Sequence, residues 1–205
     1  MRIERLICGD YQTNCYILIA DKSTEAVVID PGDDPEAIED ALTRLGVRAG
    51  AILLTHGHFD HFLGAASLKK RDGAKVFVSR ADENALSDET ASVLPADART
   101  PFTPMRADGF LDEGAFSVCG LNFTVIPTPG HTPGGVCLLS EDQNDLFTGD
   151  TLFERGFGRT DFPGGSWSAL VQSLRSLFKL ACDPTVHPGH GESARLTDIR
   201  KGYYR

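Results

Sequence analysis

A chain of 205 residues, 41% hydrophobic and 24% charged, has the composition of one globular domain with enough apolar material for a full core. Its net charge of −9 argues against a nucleic-acid partner, because phosphate binding calls for a basic face. Met1-Arg2-Ile3-Glu4-Arg5 contains no apolar signal core, and no apolar run reaches membrane-spanning length. The expectation is a soluble, cytoplasmic protein with no membrane partner.

Residues 3–8, 15–20 and 26–30 read as three short strands separated by polar turns. Pro31-Gly32-Asp33-Asp34-Pro35 then breaks the sheet, with Asp34 placed to N-cap a helix that has Pro35 at its first position. Ile38, Ala41, Leu42 and Leu45 follow at helical spacing, and Gly46 ends the run. Ala51-Ile52-Leu53-Leu54 has the length and flanks of a buried strand, and residues 62–71 read as a helix closing on Lys69-Lys70-Arg71.

Residues 75–79 form a further expected strand, and the polar, proline-broken stretch 81–114 reads as loops with a short helix. Residues 116–119 and 121–126 flank Gly120 as a bulged strand or hairpin, and 136–139 and 145–148 add two strands. Trp167, Leu170, Val171, Leu174, Leu177 and Phe178 lie on one helical stripe and are read as core. A strand at Thr185-Val186 and a final helix from Ser193 complete the chain. This order predicts two sheets packed face to face with helices outside.

Five cysteines (Cys8, Cys15, Cys119, Cys137, Cys182) have no zinc-finger or CxxC spacing, and read as small buried residues in a reducing compartment.

The chemistry gathers just past the Ala51 strand, in Thr55-His56-Gly57-His58-Phe59-Asp60-His61. Imidazole suits zinc, iron and copper, and a carboxylate adds charged ligation. His56 and His58 are two apart and lean to the same side of extended backbone, whereas Asp60 and His61 can open a helix that turns them to a second position. One tetrahedral ion seldom takes all four ligands from so short a segment, so two neighbouring ions is the natural reading. Pro127-Thr128-Pro129-Gly130-His131-Thr132-Pro133-Gly134-Gly135 presents His131 in a rigid turn after a strand, and Pro188-Gly189-His190-Gly191 does the same for His190. Thr148-Gly149-Asp150 ends a strand on a carboxylate whose two oxygens can bridge two cations. His187 falls outside the pattern.

With these pieces the chain resembles the metallo-β-lactamase superfamily, and within it the short, single-domain hydrolases of the glyoxalase II type. The resemblance runs from Asn14-Cys15-Tyr16 and Asp30-Pro31-Gly32 to Pro188-Gly189-His190-Gly191. It implies an α/β fold, an αβ/βα four-layer sandwich of two mixed sheets, spanning 1–205 as one domain. By position, His56, His58 and His131 would hold one divalent metal ion, Asp60, His61 and His190 a second, and Asp150 would bridge them. Zinc is the first choice of metal, with iron and manganese as alternatives. Asp60 and Asp150 are then the catalytic carboxylates.

The activity implied is hydrolysis of a small-molecule thioester such as S-lactoylglutathione, by attack of metal-bound hydroxide. A thiolate leaving group needs little protonation, its pKa being near 8.5. The separate helical domain that grips glutathione in glyoxalase II proper has no counterpart in the 15 residues after His190, and a homodimer partner would be another source of grip. Gly158-Arg159-Thr160-Asp161-Phe162 resembles both the short hydrolases and the one-iron persulfide dioxygenases, which are the alternative reading. Within it Arg159 is a candidate to bind a substrate carboxylate with Asp161 holding it; a purely structural Arg–Asp pair is the other reading.

Overall fold

The computed structural model describes residues 1–96 and 98–203; Asp97, Tyr204 and Arg205, the remainder of the expected 1–205 domain, lie outside the described residues. The first half of the chain builds one six-stranded sheet. Arg2–Cys8 (β1), Thr13–Ile19 (β2) and Glu25–Ile29 (β3) form an antiparallel meander, and Arg48–Leu53 (β4), Lys75–Val78 (β5) and Gly109–Phe110 (β6) extend it in parallel. Two helices, Pro35–Leu45 (α1) and Ala65–Asp72 (α2), make the crossovers between the parallel strands. The second half mirrors this arrangement. Gly114–Val118 (β7), Leu121–Pro127 (β8), Val136–Ser140 (β9) and Asp145–Gly149 (β10) run antiparallel; Thr185–Pro188 (β11) joins in parallel after helix Trp167–Leu177 (α3). Ala194–Arg195 (β12) closes the edge before helix Leu196–Tyr203 (α4).

Alternation along the strands divides the core into three layers of contact. Leu18, Val27, Ile29, Ala51 and Leu53 face the second sheet and meet Phe123, Val125, Leu138 and Phe147. Their neighbours Ile17, Val28 and Ile52 point the other way, onto Ile38 and Leu42 of α1 and Leu68 of α2. Leu170, Leu174 and Leu177 of α3 cover Leu139, Leu146 and Val186 on the far side. Helix, sheet, sheet, helix: the expected four-layer sandwich is the structure.

Four local expectations are corrected. Asp34 lies in the left-handed region at φ 73 and makes no side-chain cap; its Oδ2 accepts instead from the Gly9 backbone N–H at 2.8 Å, tying the β1–β2 turn to the start of α1. Trp167 is 53% exposed and leans on Phe157 at 5.0 Å, so the buried stripe of α3 begins at Leu170. The stretch 81–114 contains a two-residue strand, β6, beside its 3-10 turn Glu83–Leu86. The expected helix from Ser193 starts only at Leu196, after β12. The break at Gly120 is a hairpin: Cys119 (φ 49) and Gly120 (φ 74) both take left-handed backbone, as a two-residue turn between right-twisted strands requires.

Candidate metal centre

Every side chain singled out for metal chemistry lies just past the carboxyl end of a strand, at one edge of the two sheets. His56 and His58 follow β4, and a single 3-10 turn, Phe59–His61, swings Asp60 and His61 round behind them. His131 follows β8, Asp150 follows β10 and His190 follows β11. Asn14 fastens the last of these loops: its amide donates to Pro188 O at 2.9 Å and Gly191 O at 2.8 Å, and the Tyr16 hydroxyl donates to Pro188 O at 2.8 Å.

The donors converge in two groups, His56–His58–His131 and Asp60–His61–His190, each with its donor atoms within 4.8 Å of one another. Asp150 stands between them. Its Oδ1 is 3.4 Å from His61 Nε2 and 3.6 Å from His190 Nε2, while its Oδ2 is 3.4 Å from His131 Nε2. Thus the structure brings together all seven residues expected at the site.

Hydrogen bonds on Nδ1 fix the ring orientation of three of the histidines, and His131 Nε2 in turn lies 2.8 Å from His58 Nδ1. His131 Nδ1 lies 2.6 Å from the Arg159 carbonyl, which only accepts, so Nδ1 carries the proton and Nε2 keeps its lone pair. His61 Nδ1 donates to Asp30 Oδ2 at 2.9 Å. The Thr55 hydroxyl donates to the same oxygen at 2.7 Å, which leaves it to accept from His56 Nδ1 at 3.1 Å. Outer partners of this kind orient a chelating imidazole and raise its basicity. Asp30 also converges with His56 and His61, but its oxygens are committed to Thr55 and His61, so it supports the centre from behind.

Charge follows the same division. Burial, reinforced by neighbouring histidines, drives His56 well below its ordinary pKa and His58 down to about 3, so both are neutral. Burial works against protonation of His61 too, yet the carboxylates of Asp60, Asp150 and Asp30 outweigh it and push the group up to about 10. Burial likewise opposes ionisation of Asp60, but His61 and His190 beside it, with the Thr13 hydroxyl at 2.9 Å, hold it well below the usual carboxylate range.

Three buried polar atoms inside this ring of donors make no hydrogen bond: His56 Nε2, His61 Nε2 and Asp150 Oδ1. Leaving one such group unsatisfied costs about 1–3 kcal/mol, and all three face the space shared by the two donor groups. The neutral nitrogens of His56 and His58, the low-lying Asp60 carboxylate beside the protonated His61, and orphaned donor atoms aimed at one place fit divalent cations, which would take the place of that proton. Backbone approaches so closely that a Cβ on Gly189 would lie 2.4 Å from Asp150 Oδ1 and 2.6 Å from His61 Cε1.

The sequence model of the metallo-beta-lactamase superfamily matches residues 8–190, a span that holds every one of these donors. The chain belongs to the metallo-beta-lactamase superfamily. It is 35% identical to the hydroxyacylglutathione hydrolase GloC of Haemophilus influenzae over 199 residues, covering 93% of this chain and 91% of GloC. The B3 metallo-beta-lactamase BLEG-1 superposes with a TM-score of 0.91 at 32% identity, over 98% of this chain and 97% of that one. TTHA1623, solved in a di-iron-bound form, superposes with a TM-score of 0.86 at 32% identity, over 97% of each chain.

Above the donors of this superfamily member opens a cavity of about 370 Å³ that reaches His58, Asp60, His131, Asp150 and His190. Arg159 lines it, with its guanidinium bound twice by Asp161 (2.6 and 2.5 Å) and lying 4.0 Å over the Phe162 ring. The Arg–Asp pair foreseen from the sequence therefore forms, and the main chain of Arg159 also holds His131. His187 lies apart, between Asp145 (2.8 Å) and Ser193 (3.0 Å), and reaches neither donor group. Sequence reasoning missed Asp82: this buried carboxylate accepts from Gly57 N at 2.9 Å and Gly134 N at 2.7 Å, and so joins the His56–His58 loop to the His131 loop. Nothing near Asp82 in the chain marks it; only the shortage of acceptors for two tight Gly-rich loops could have raised the question. Among the described residues, no helix is long and apolar enough to cross a membrane.

Proposed function

We propose that the chain is a dinuclear metal-dependent thioesterase acting on S-lactoylglutathione or a similar small acyl thioester. The observation that carries this reading is Asp150, whose two oxygens turn to two separate three-donor groups. His56, His58 and His131 would hold one ion, Asp60, His61 and His190 the other, with zinc first and iron or manganese as alternatives. When bound, such a pair supplies Lewis acidity and lowers the pKa of water toward neutrality.

The chain's own residues do the rest. Asp150 sets the separation of the two groups, and Asp30 keeps His56 and His61 in the tautomers that leave Nε2 free. Thr13 holds the Asp60 carboxylate on the side of His190. Phe59 and Phe162 line the approach, so a substrate oxygen at the donors is flanked by apolar rings. Arg159 stands at the mouth, 57% exposed, where its remaining donors can meet a carboxylate on the thiol half of the substrate.

The likeness to GloC supports the substrate class, and the likeness to the di-iron form of TTHA1623 supports two ions. A one-iron persulfide dioxygenase would have no use for a complete Asp60–His61–His190 group, so that alternative ranks second. The test is metal analysis of the purified protein beside S-lactoylglutathione hydrolysis. About two ions per chain with turnover is expected; one ion at excess metal, with oxygen consumption on glutathione persulfide, would install the alternative.

A further inference from the structure

The cavity has donors for a floor and rings for walls. Phe162 stands edge-on to His58 at 5.6 Å and Phe153 edge-on to His190 at 6.1 Å, so an aromatic ring flanks each donor group. Phe59, next to Asp60, carries Tyr11 edge-on at 5.0 Å at the rim. Between them comes Val93, whose φ of 61 is a left-handed backbone that a β-branched residue avoids. Its turn is held there: Val93 N donates to Thr90 O, Leu94 N to Glu89 O, and Ser92 O accepts from Phe59 N at 3.0 Å. A strained aliphatic side chain is thus presented to the cavity by a loop that is itself pinned to the chelating segment. Among the described residues lining the cavity, Arg159 alone carries a permanent positive charge, and Asp161 and the Phe162 ring already engage it.

We infer that this wall is the acyl subsite, and that it takes an uncharged, apolar acyl group, with an aryl or branched chain preferred. The word acyl rests on the hydrolase reading above; the apolar character of the wall does not. An apolar group there leaves water in proportion to its area and meets rings edge-on or offset, both favourable. A carboxylate at the far end of the acyl chain would instead be desolvated against rings.

The experiment uses the metal-loaded protein and glutathione derivatives sharing one thiol. Hydrolysis is compared for phenylacetyl, butyryl and succinyl thioesters, and binding of the non-hydrolysable S-phenethyl and S-(3-carboxypropyl) thioethers is measured by calorimetry. The phenethyl compound should bind at least about tenfold more tightly than the carboxypropyl one, with kcat/KM ranking phenylacetyl, butyryl, succinyl. Phe162→Ala should shrink the preference, and so should Val93→Gly, which relieves backbone strain and keeps the test readable if the first variant unfolds. Loss of thioester turnover with the binding preference intact would sink the hydrolase reading and still support an apolar subsite. Equal or tighter binding of the carboxypropyl compound, or a preference that neither variant alters, would overturn the inference.

Discussion

Asp30 Oδ2 accepts from His61 Nδ1 at 2.9 Å and, through the Thr55 hydroxyl, also steers His56, so one buried carboxylate orients a donor in each group. Asp30 sits at φ 50, which Asn tolerates as well as Asp, so Asp30→Asn keeps the backbone and changes only the hydrogen bonding. The amide would turn an N–H₂ toward groups that need an acceptor. Metal affinity should fall about 10- to 100-fold at both positions. Chelator competition followed ion by ion checks this; loss confined to one ion would show that Thr55 does not transmit the effect to His56.

Asp150→Asn should reduce activity more than His61→Ala. The carboxylate faces both donor groups, whereas His61 belongs to one. The fold should survive both changes, because these residues lie at the edge of the sandwich and outside its three apolar layers. Metal stoichiometry should approach one in His61→Ala and fall at both positions in Asp150→Asn. Wild-type turnover by Asp150→Asn at saturating metal would remove the bridging assignment.

The two-sheet layering was legible from the run of strands and helices, and the donors from their clustering in short motifs past apolar strands, as Ala51-Ile52-Leu53-Leu54 announces His56, with the division into two groups coming from the resemblance to the superfamily. The supporting residues were not, since their partners are distant in sequence. Asp82 meets Gly57 and Gly134, 25 and 52 positions away, and no local pattern encodes such a contact. Asp34 was misread for the same reason: its capping position is a local signal, but Gly9 competes for the carboxylate and wins. Trp167 fits the helical stripe by period, yet the helix begins beyond the layer that Leu170 covers, so the ring stays outside. β6 is two residues long, too short for any alternation to show.

Asp82→Ala tests whether that carboxylate positions the chelating loops or merely stabilises the fold. Two backbone N–H groups lose their acceptor, costing about 1–3 kcal/mol each where water cannot replace it. Both belong to loops that carry His56, His58 and His131, so that group should lose affinity while Asp60–His61–His190 keeps its ion. Titration with cobalt, read by its absorption bands, should then show one strong and one weakened site. Asp82→Glu should recover part of the weaker one. Equal weakening of both sites would mean that Asp82 acts through overall stability.

The last prediction concerns protons in the metal-free protein. His61 is raised to about 10 against an ordinary value of 6.5, because the pull of Asp60, Asp150 and Asp30 outweighs the cost of burial. A histidine raised on folding contributes its full stabilisation below pH 6.5, and that contribution fades as pH climbs through about 10. Asp60, held low by the histidines beside it, has the opposite sign: its contribution is present at neutral pH and is lost only in strong acid. The apoprotein should therefore lose stability on the alkaline side, in the window from about 6.5 to 10. His61→Gln should start lower at neutral pH and show a flatter alkaline limb. At pH 8 the proton on His61 occupies the position that a cation would take, so metal binding must expel it. Calorimetry in two buffers of different ionisation enthalpy measures that release directly. About one proton should leave with the ion bound by the Asp60–His61–His190 group, and none from that source in His61→Gln. An identical heat in both buffers would mean that His61 is neutral before the metal arrives, and that Asp30 acts on it only as an orienting acceptor.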